Sequence, residues 1–282
     1  MPRFTKFQGF GNDYLVFEAE QLVAVDDLGS FARRICNRHY GAGGDGVAIA
    51  SRAGAADFSI RIFNPDGSEA GMSGNGTRCA AAYLFFHGLW SQSLLTLQTR
   101  NGVKRYHLLE RGDDGSFCFR SELGQPRFDS ASIPMTTDKP LERVIDYPLV
   151  VDGLTLKVTA LQMGNPNCCI FVDGFDEIDW RRLGPLIENH PQFPERTNVI
   201  FIRVRNDRVI EERIWERGVG ATESSGTCSS AAVVASVITG KCARKIEVHA
   251  PGGVIPIEWR DDNEVVLTGS AGVVYTGEWL VN

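Results

Sequence analysis

Two serines stand in the same local surroundings and could act together on one substrate. Ser73 and Ser225 are each followed by glycine, and each precedes a run of small and apolar residues that predicts a helix. The first turn of a helix leaves backbone N–H groups without an intrahelical acceptor, and its positive end attracts anions. If both helix N-termini converged on one carboxylate, the hydroxyls would lie on opposite faces of the carbon that bears it. Such an arrangement suits removal of a proton from one face and its return to the other.

A simpler interpretation is that each serine is an ordinary N-cap, which would contribute about 1 kcal/mol to its helix. A faint internal repeat favours the proton-transfer interpretation. Four pairs of positions recur in the same order at an offset of 152 or 153 residues: Gly11-Asn12 with Gly164-Asn165, Arg61 with Arg213, Ser73-Gly74 with Ser225-Gly226, and Gly88 with Gly240. The two glycines that end this series are placed as C-caps of the two helices.

The repeat and the pattern of elements predict an α+β fold made of two similar domains from an internal duplication. Each domain is expected to be a mostly antiparallel sheet wrapped around a central helix, and a pseudo-twofold axis is expected to relate the two. The N-terminal domain is placed at residues 1–122 with a C-terminal strand at 270–282, and the C-terminal domain at 123–269. The stretch SSAAVVASVIT after Ser225 is apolar nearly all round, which indicates a buried helix.

Composition restricts the class of partner. The chain of 282 residues is 43% hydrophobic and 23% charged, with a formal charge of −6 and no basic cluster. We therefore expect no nucleic-acid partner and no membrane partner. The first residues lack the apolar core of a signal peptide, and the seven cysteines show no framework spacing. These features predict reduced thiols, a cytoplasmic location and no metal site, because no C-x-x-C occurs and the histidines are scattered.

One stretch of the sequence matches a dinucleotide-binding motif by accident. The stretch GAGGDG, from Gly41 to Gly46, fits the dinucleotide fingerprint G-x-G-x-x-G. That fingerprint needs a strand before it and a helix after it. Here a helix is predicted before it, over LGSFARRICNRH, and a strand after it, over VAIAS. We therefore interpret Gly41 as a helix C-cap and expect no dinucleotide cofactor.

Several blocks of the sequence resemble the diaminopimelate epimerase family, and the resemblance runs nearly from end to end. The opening block GFGNDYLVFE begins at Gly9, and the most diagnostic block, RIFNPDGSEAGMSGNGTRCAA, begins at Arg61. MGNPNC, TNVIFI and ERGVGAT follow in the family's order, from Met163, Thr197 and Glu216. Together these blocks are far more specific than any single motif.

The resemblance implies an active site between two similar domains, in which two opposed bases epimerise an amino acid without pyridoxal or any other cofactor. It implies conversion of LL- to meso-diaminopimelate, a step of lysine and peptidoglycan biosynthesis. The partner is then a small amino acid, with a diamino diacid favoured, and a homodimer is one option for the assembly.

The family's site residues carry over by position. The bases are Ser73 and Ser225, and the α-carboxylate is held by backbone N–H groups of Gly74, Asn75, Gly226 and Thr227. The distal end of the substrate is held by Asn64, Asn198 and Arg217, and the rest of the pocket is lined by Asn12, Asn165 and Glu216. The simpler alternatives are turn formation for the asparagines, chiefly Asn165, and a surface ion pair for Arg217.

The sequence also departs from the family. The family's two bases are cysteines, and here both positions are serine. Gln8 and Asn167 stand where histidine is usual, Ala221 where glutamate is usual, and Cys228 where glycine is usual. Because these further positions differ too, the departures indicate natural divergence. We predict that neither Cys79 nor Cys228 replaces the lost bases.

Serine is the weaker acid, so its use has a kinetic cost. A deficit of about 4 pKa units relative to a thiol corresponds to on the order of 10⁴ in rate. A serine therefore needs an adjacent base, and Glu223 and Asp45 are the acidic candidates by sequence. Three hypotheses remain: an amino-acid epimerase or racemase, a divergent isomerase of the phenazine-biosynthesis branch that uses a carboxylate base, and a non-catalytic amino-acid-binding relative.

Overall fold

The structure is a computed structural model that describes residues 1–280. The chain divides into two compact units. The first unit consists of Met1–Glu122 together with the segment from Thr268 onward, and the second consists of Leu123–Leu267.

The first unit surrounds one buried helix with strands. Its helices are α1 (Leu28–Ile35), α2 (Gly74–Phe86) and a short 3-10 helix (Ala19–Leu22). Its strands are β1 (Arg3–Gly9), β2 (Asn12–Glu18), β3 (Gly46–Arg52), β4 (Phe58–Phe63), β5 (Glu69–Ala70), β6 (Leu94–Thr99), β7 (Gly102–Arg111) and β8 (Ser116–Gly124), the last of which ends just past the division.

Pairing in the first unit is mostly antiparallel. β1 pairs antiparallel with β2, β3 with β4, β4 with β5, β6 with β7, and β7 with β8. The parallel pairs are β2 with β3 and β4 with β6, and each is connected through a helix, α1 and α2 respectively. β1 also pairs antiparallel with the C-terminal half of β17 (Val265–Glu278), where Phe4 lies opposite Gly277.

The second unit has the same kinds of element. Its helices are α3 (Trp180–Glu188) and α4 (Gly226–Ile238). Its strands are β9 (Val144–Val151), β10 (Leu154–Gln162), β11 (Pro166–Phe171), β12 (Asn198–Asn206), β13 (Val209–Glu216), β14 (Gly220–Thr222), β15 (Lys245–Ala250), β16 (Gly253–Trp259) and the first part of β17.

The order of pairings in the second unit repeats that of the first. β10 pairs antiparallel with β11, β12 with β13, β13 with β14, β15 with β16, and β16 with β17. The parallel pairs are again separated by helices: β11 with β12 by α3, and β13 with β15 by α4. Strands β10 to β17 thus correspond to β1 to β8, and β9 adds an antiparallel neighbour to β10. The predicted α+β class with mostly antiparallel strands is confirmed.

Helices α2 and α4 are buried, and most of their side chains are small or apolar. From Asn75 to Phe85 every residue of α2 is buried, and Cys79, Ala80 and Leu84 belong to the main apolar cluster of the first unit. Helix α4 is likewise buried from Cys228 to Ser236. A buried helix holds its N-terminal turn in a fixed place, which a site built on that turn requires.

The predicted helix ends are partly right. Gly88 and Gly240 follow α2 and α4 with φ of 67° and 70°, the left-handed conformation of a C-terminal glycine. The prediction for Gly41 is wrong, because α1 ends at Ile35 and Gly41 is not among the residues with positive φ. Its N–H instead closes a turn on the carbonyl of Asn37 at 2.8 Å. β3 follows the GAGGDG stretch, so that stretch does lack the strand-before-helix context of a dinucleotide site.

Candidate active site

Ser73 is the N-cap of α2 and has an extended backbone, with φ −131° and ψ 126°. Its Oγ accepts a hydrogen bond from the N–H of Gly76 at 3.1 Å, and its carbonyl accepts from the N–H of Thr77 at 2.9 Å. The same Oγ lies 2.8 Å from the phenol oxygen of Tyr14. The N-cap interpretation therefore holds for Ser73, but its hydroxyl also has a partner from β2 that capping does not require.

Polar side chains continue from the first turn of α2. Asn75 Nδ2 donates to Asn12 Oδ1 at 3.2 Å, and Asn12 Nδ2 donates to Asp45 Oδ2 at 2.8 Å. The Arg78 guanidinium donates to Asn75 Oδ1 and, at 3.2 Å, to the carbonyl of Ser270. Two of the predicted substrate-binding residues, Asn12 and Asn75, are therefore in direct contact.

Arg78 is a residue that the sequence analysis did not single out. Its side chain is among the largest that are fully buried, and burial lowers the pKa of its guanidinium. The ring of Phe10 lies 5.0 Å from the guanidinium carbon. A buried guanidinium just after the first turn of α2 adds positive charge near the positive end of the helix, where an anion is favoured. The only sequence signal was an arginine inside an otherwise small and apolar helix.

The two acidic candidates named from the sequence, Asp45 and Glu223, have contacts other than the serines. Asp45 accepts from Arg38 Nη2 at 2.8 Å and belongs to an ion-pair network with Asp13 and Lys6. Burial raises the pKa of Asp13, but hydrogen bonds from Arg38 and Lys6 outweigh burial and lower it to about 2. Glu223 is exposed and contributes its backbone carbonyl to the N–H of Gly252 at 2.8 Å. Within residues 1–280 no hydrogen bond joins either carboxylate to a candidate serine.

Ser225 precedes α4 as Ser73 precedes α2, but its side chain is used differently. It is the N-cap residue by position, with φ −148° and ψ 119°, yet its hydroxyl makes no capping hydrogen bond. Its carbonyl accepts from the N–H of Ser229 at 2.9 Å and from the Ser229 hydroxyl at 2.8 Å. The N-cap interpretation therefore fails for the Ser225 side chain.

Glu216, at the end of β13, and Cys228, in the first turn of α4, both lie beside the Ser225 side chain. Burial raises the pKa of the Glu216 carboxyl, while the nearby hydroxyls of Thr222 and Ser225 act in the opposite direction without cancelling the shift. A carboxyl group with a raised pKa is a stronger base once ionised than an ordinary surface carboxylate. The resemblance had placed Glu216 in the lining of the pocket, and the structure places it beside the hydroxyl that needs a base.

Amide side chains connect the remaining residues of the second unit. Asn165 Nδ2 donates to Thr227 Oγ1 at 3.3 Å, and Asn167 Nδ2 donates to Asn165 Oδ1 at 3.0 Å. Asn198 Nδ2 donates to Asn167 Oδ1 at 3.0 Å, and Asn198 Oδ1 accepts from the N–H of Arg217 at 2.9 Å. Asn167, one of the departures from the family, thus links two predicted binding residues.

Asn64 and Arg217, both predicted to hold the distal end of the substrate, have local partners. Asn64 Nδ2 donates to Ser68 Oγ at 2.9 Å, and its carbonyl accepts from the N–H of Gly67 at 2.9 Å. The turn-forming alternative therefore describes Asn64, although the sequence suggested it chiefly for Asn165. Arg217 Nη1 donates to the carbonyl of Glu195 at 2.9 Å rather than to a carboxylate.

Gln8 and Ala221 are two other residues that differ from the family's pattern, and the structure shows where each of them lies. Gln8 Oε1 accepts from the N–H of Gly11 at 3.2 Å and so steadies the turn between β1 and β2. Ala221 lies on β14 and is exposed. Within residues 1–280, neither side chain is hydrogen-bonded to a candidate serine.

Glu212 is a second residue that the sequence analysis missed. Its side chain on β13 has no exposed surface, its Oε1 lies 2.5 Å from Ser229 Oγ, and its Oε2 has no hydrogen-bond partner. Burial raises the pKa of this carboxyl to about 8. The repeat could have revealed it, because an offset of 152 residues pairs Glu212 with Ile60, a member of the apolar cluster in the first unit.

Two thiols, Cys79 and Cys228, lie close to the candidate serines in sequence, and burial keeps both protonated. Cys79 is fully buried among apolar side chains, and burial raises its pKa to about 12. Burial raises the pKa of Cys228 far above that of an ordinary thiol. Because the thiolate is the reactive form, buried thiols of this kind are poor acid–base groups at neutral pH.

The described residues also bear on metal binding and on membrane insertion. Within residues 1–280 no group of three or more histidine, cysteine, aspartate or glutamate side chains is arranged to hold a metal ion. No helix in that range has the length and apolarity needed to span a membrane.

Comparison of the sequence with protein-family models gives a match over both units. The model described as diaminopimelate epimerase matches residues 4–128 and 159–274. A protein from Desulforudis audaxviator named diaminopimelate epimerase is 42% identical over 278 residues, which cover 98% of this chain and 99% of that protein. One of the same name from Desulfovibrio desulfuricans is 40% identical over 285 residues and covers 99% and 98% of the two chains.

Comparison with solved structures shows the same fold in more distant proteins. A phenazine biosynthesis protein of the PhzF family from Bacillus anthracis superposes with a TM-score of 0.68 at 16% identity, covering 99% of each chain. A hydroxyproline epimerase from Agrobacterium vitis superposes with a TM-score of 0.66 at 14% identity, covering 99% of this chain and 89% of that one.

Proposed function

Because the chain belongs to the diaminopimelate epimerase family, we propose that it is a cofactor-independent amino-acid epimerase that moves a proton at an α-carbon. The substrate that fits best is a diamino diacid, most simply diaminopimelate, converted from the LL to the meso form. The observation that carries this proposal is the paired placement of Ser73 and Ser225 before buried helices in two units of the same strand order.

In this proposal the α-carboxylate is held by backbone N–H groups at the starts of α2 and α4. Gly74 and Asn75 begin α2, and Gly226 and Thr227 begin α4. N–H groups of a first helical turn have no intrahelical acceptor, and the positive helix end favours an anion. A carboxylate held in this way also draws electron density from the α-carbon and so helps to stabilise the carbanion.

Each serine hydroxyl acts at one face of the α-carbon, one as the base and the other as the acid. An isolated serine is too weak an acid for this task, so each needs a neighbouring group that exchanges protons with it. At Ser225 that group is Glu216, whose pKa is raised by burial. The second hypothesis drawn from the sequence, an isomerase with a carboxylate base, also predicts a role for this residue, so Glu216 alone does not separate the two.

The distal amino and carboxyl groups of the substrate are assigned to Asn64, Asn198 and Arg217, and the rest of the pocket to Asn12, Asn165 and Glu216. The amide chain from Asn165 to Asn198 supports this assignment for the second unit, because it holds these side chains in fixed orientations. For Asn64 the support is weaker, since its amide already bonds to Ser68.

A homodimer is the assembly that we propose, and light scattering at several concentrations tests it.

Exchange of the α-proton tests the function directly. The protein is incubated with LL-diaminopimelate in deuterated water, and the α-proton signal is followed by NMR. We expect loss of that signal together with appearance of the meso form. Binding of diaminopimelate without exchange would identify an amino-acid-binding relative.

A matched pair of variants makes the test specific for the hydroxyl. Ser225→Ala should reduce exchange at least about 10²-fold, the usual loss when an acid–base group is removed. Ser230→Ala is the control, because it deletes a buried hydroxyl on the same helix that has no hydrogen-bond partner. Equal exchange rates in the two variants would rule out Ser225 as an acid–base group.

A further inference from the structure

Tyr14 occupies a place that is built for an aromatic ring. It lies on β2, is 5% exposed, and pairs with Gly46 on β3. A methyl group added to Gly46 would lie 2.6 Å from Tyr14 Cε1, and one added to Gly76 would lie 2.8 Å from the same atom. The ring therefore needs two glycines as neighbours, one on β3 and one in the first turn of α2. This close packing fixes where the phenol oxygen lies.

The phenol oxygen meets the hydroxyl of Ser73. The two oxygens are 2.8 Å apart, and either can be the donor. The Gly76 N–H occupies one acceptor position of Ser73 Oγ and so restricts its rotation. A proton can therefore pass between Tyr14 and Ser73 without movement of either side chain.

The second unit has a different group at the corresponding place. An offset of 153 residues pairs Tyr14 with Asn167, whose amide bonds to Asn165 and Asn198 and cannot exchange protons as a phenol does. There, the group beside the serine hydroxyl is the Glu216 carboxyl. The two serines thus have chemically different partners, a phenol for Ser73 and a carboxyl for Ser225.

We infer that Tyr14 is a proton-relay residue that positions and activates Ser73, an inference that rests on the proposed epimerase function. When the pair acts as the base, the substrate Cα–H bond breaks, its proton passes to Ser73 Oγ, and the proton of Ser73 passes to the Tyr14 phenolate. The electron pair stays on the α-carbon. When the pair acts as the acid, Ser73 gives its proton to the α-carbon and takes one from the Tyr14 hydroxyl.

The relay removes the main obstacle to serine in this role. Serine acting alone would have to exist as an alkoxide, whereas the relay leaves the negative charge on a phenol oxygen. Phenols have a reference pKa near 10, several units below that of an aliphatic hydroxyl. The phenol oxygen also lies at the start of α2, where the positive end of the helix stabilises an oxyanion.

The first test is the variant Tyr14→Phe, which removes one oxygen and keeps the ring between its glycines. We expect the maximal rate of α-proton exchange to fall about 10²-fold with little change in KM, because the substrate-binding groups are kept. Tyr83→Phe is the matched control: it removes a phenol oxygen from the same buried cluster, one that donates to Glu18 at 3.2 Å. Equal exchange rates in the two variants would overturn the relay.

The second test does not require turnover. In the Ser73→Cys background, the thiol at position 73 is alkylated with iodoacetamide at a series of pH values and followed by mass spectrometry of its peptide. A phenol donates to a thiolate and lowers its pKa, so adding Tyr14→Phe should shift the alkylation midpoint upward by about half a unit or more. An unchanged midpoint would refute the contact that the relay needs, whereas absence of exchange in the unmodified protein would refute the epimerase function alone.

Discussion

Replacement of Glu212 by glutamine should change how the stability of the protein depends on pH. The Ser229 hydroxyl lies 2.8 Å from the Ser225 carbonyl and 2.5 Å from Glu212 Oε1. A hydroxyl has one proton to donate, so both contacts are satisfied when the Glu212 carboxyl is neutral and donates its own proton to Ser229. Glutamine at this position is neutral at every pH and keeps nearly the same shape.

The magnitude follows from the shift in pKa. Burial raises the pKa of Glu212 from 4.5 to about 8 and outweighs the Ser229 hydroxyl, which lowers it; Glu216 adds a smaller upward contribution and Arg213 a smaller downward one. Cys228 and Cys169, the other titratable groups that interact with it, stay neutral because burial raises their pKa values. Between pH 4.5 and 8 the unfolded chain has lost the proton that the native state keeps. Stability therefore falls as pH rises through this window, by at most about 5 kcal/mol, since water entry around the ionised carboxyl would reduce the loss.

Urea denaturation followed by circular dichroism at pH 5, 6, 7, 8 and 9 measures the effect. The free energy of unfolding of Glu212→Gln should be close to that of the unmodified protein at pH 5 and exceed it by several kcal/mol at pH 8 and above. Glu211→Gln is the control on the opposite face of β13, where it weakens a partly exposed ion pair with Arg203 at 3.4 Å and should cost at most about 1 kcal/mol. A constant difference between Glu212→Gln and the unmodified protein from pH 5 to 9 would refute the assignment of a neutral buried carboxyl.

Three further predictions concern the serines and thiols. The Ser73→Cys/Ser225→Cys double variant should raise α-proton exchange, by less than the ~10⁴-fold deficit of unassisted serines, because each serine already has a proton-exchanging partner. Each single variant should do less, because inversion needs an acid and a base, and a double variant that binds diaminopimelate but exchanges no α-proton would contradict the prediction. Ser73→Ala should lower the free energy of unfolding by about 1 kcal/mol more than Ser225→Ala, because Ser73 caps its helix and Ser225 does not; equal losses in urea denaturation would argue against the difference in capping. Cys228→Ala should keep its α-proton exchange, since burial holds the thiol protonated; loss of all turnover in a folded variant would show that the thiol takes part.

The sequence was sufficient for features that depend on local pattern and on order along the chain. Ser-Gly turns before apolar runs predicted the starts of α2 and α4, and glycines at Gly88 and Gly240 predicted their ends. The constant offset between the halves predicted the repeated strand order, because pairing in each half follows from similar segments in the same order. The family blocks predicted which residues lie at the helix N-termini.

Helix α1 shows where local pattern is insufficient. LGSFARRICNRH predicts a longer helix than Leu28–Ile35, and Gly41 was assigned to its C-cap. Instead the chain leaves the helix early, and the N–H groups of Gly43 and Gly44 bond to the carbonyls of Ile35 and Cys36 at 3.0 and 3.1 Å. The end of this helix was decided by the route that the chain takes to β3, which no local signal encodes.

Which partner each serine hydroxyl has was decided by tertiary structure. Tyr14 is 59 residues from Ser73, and it reaches Ser73 because β2 pairs with β3 and both pack on α2. Glu223 is closer to Ser225 in sequence than Glu216 is, yet Glu223 lies exposed and Glu216 lies beside the hydroxyl. When a strand packs on a helix, side chains that are far apart in the sequence come into contact, and the lengths of the connecting loops do not show which ones. Sequence therefore determined which hydroxyls begin the helices, and only packing between elements determined which group can exchange a proton with each.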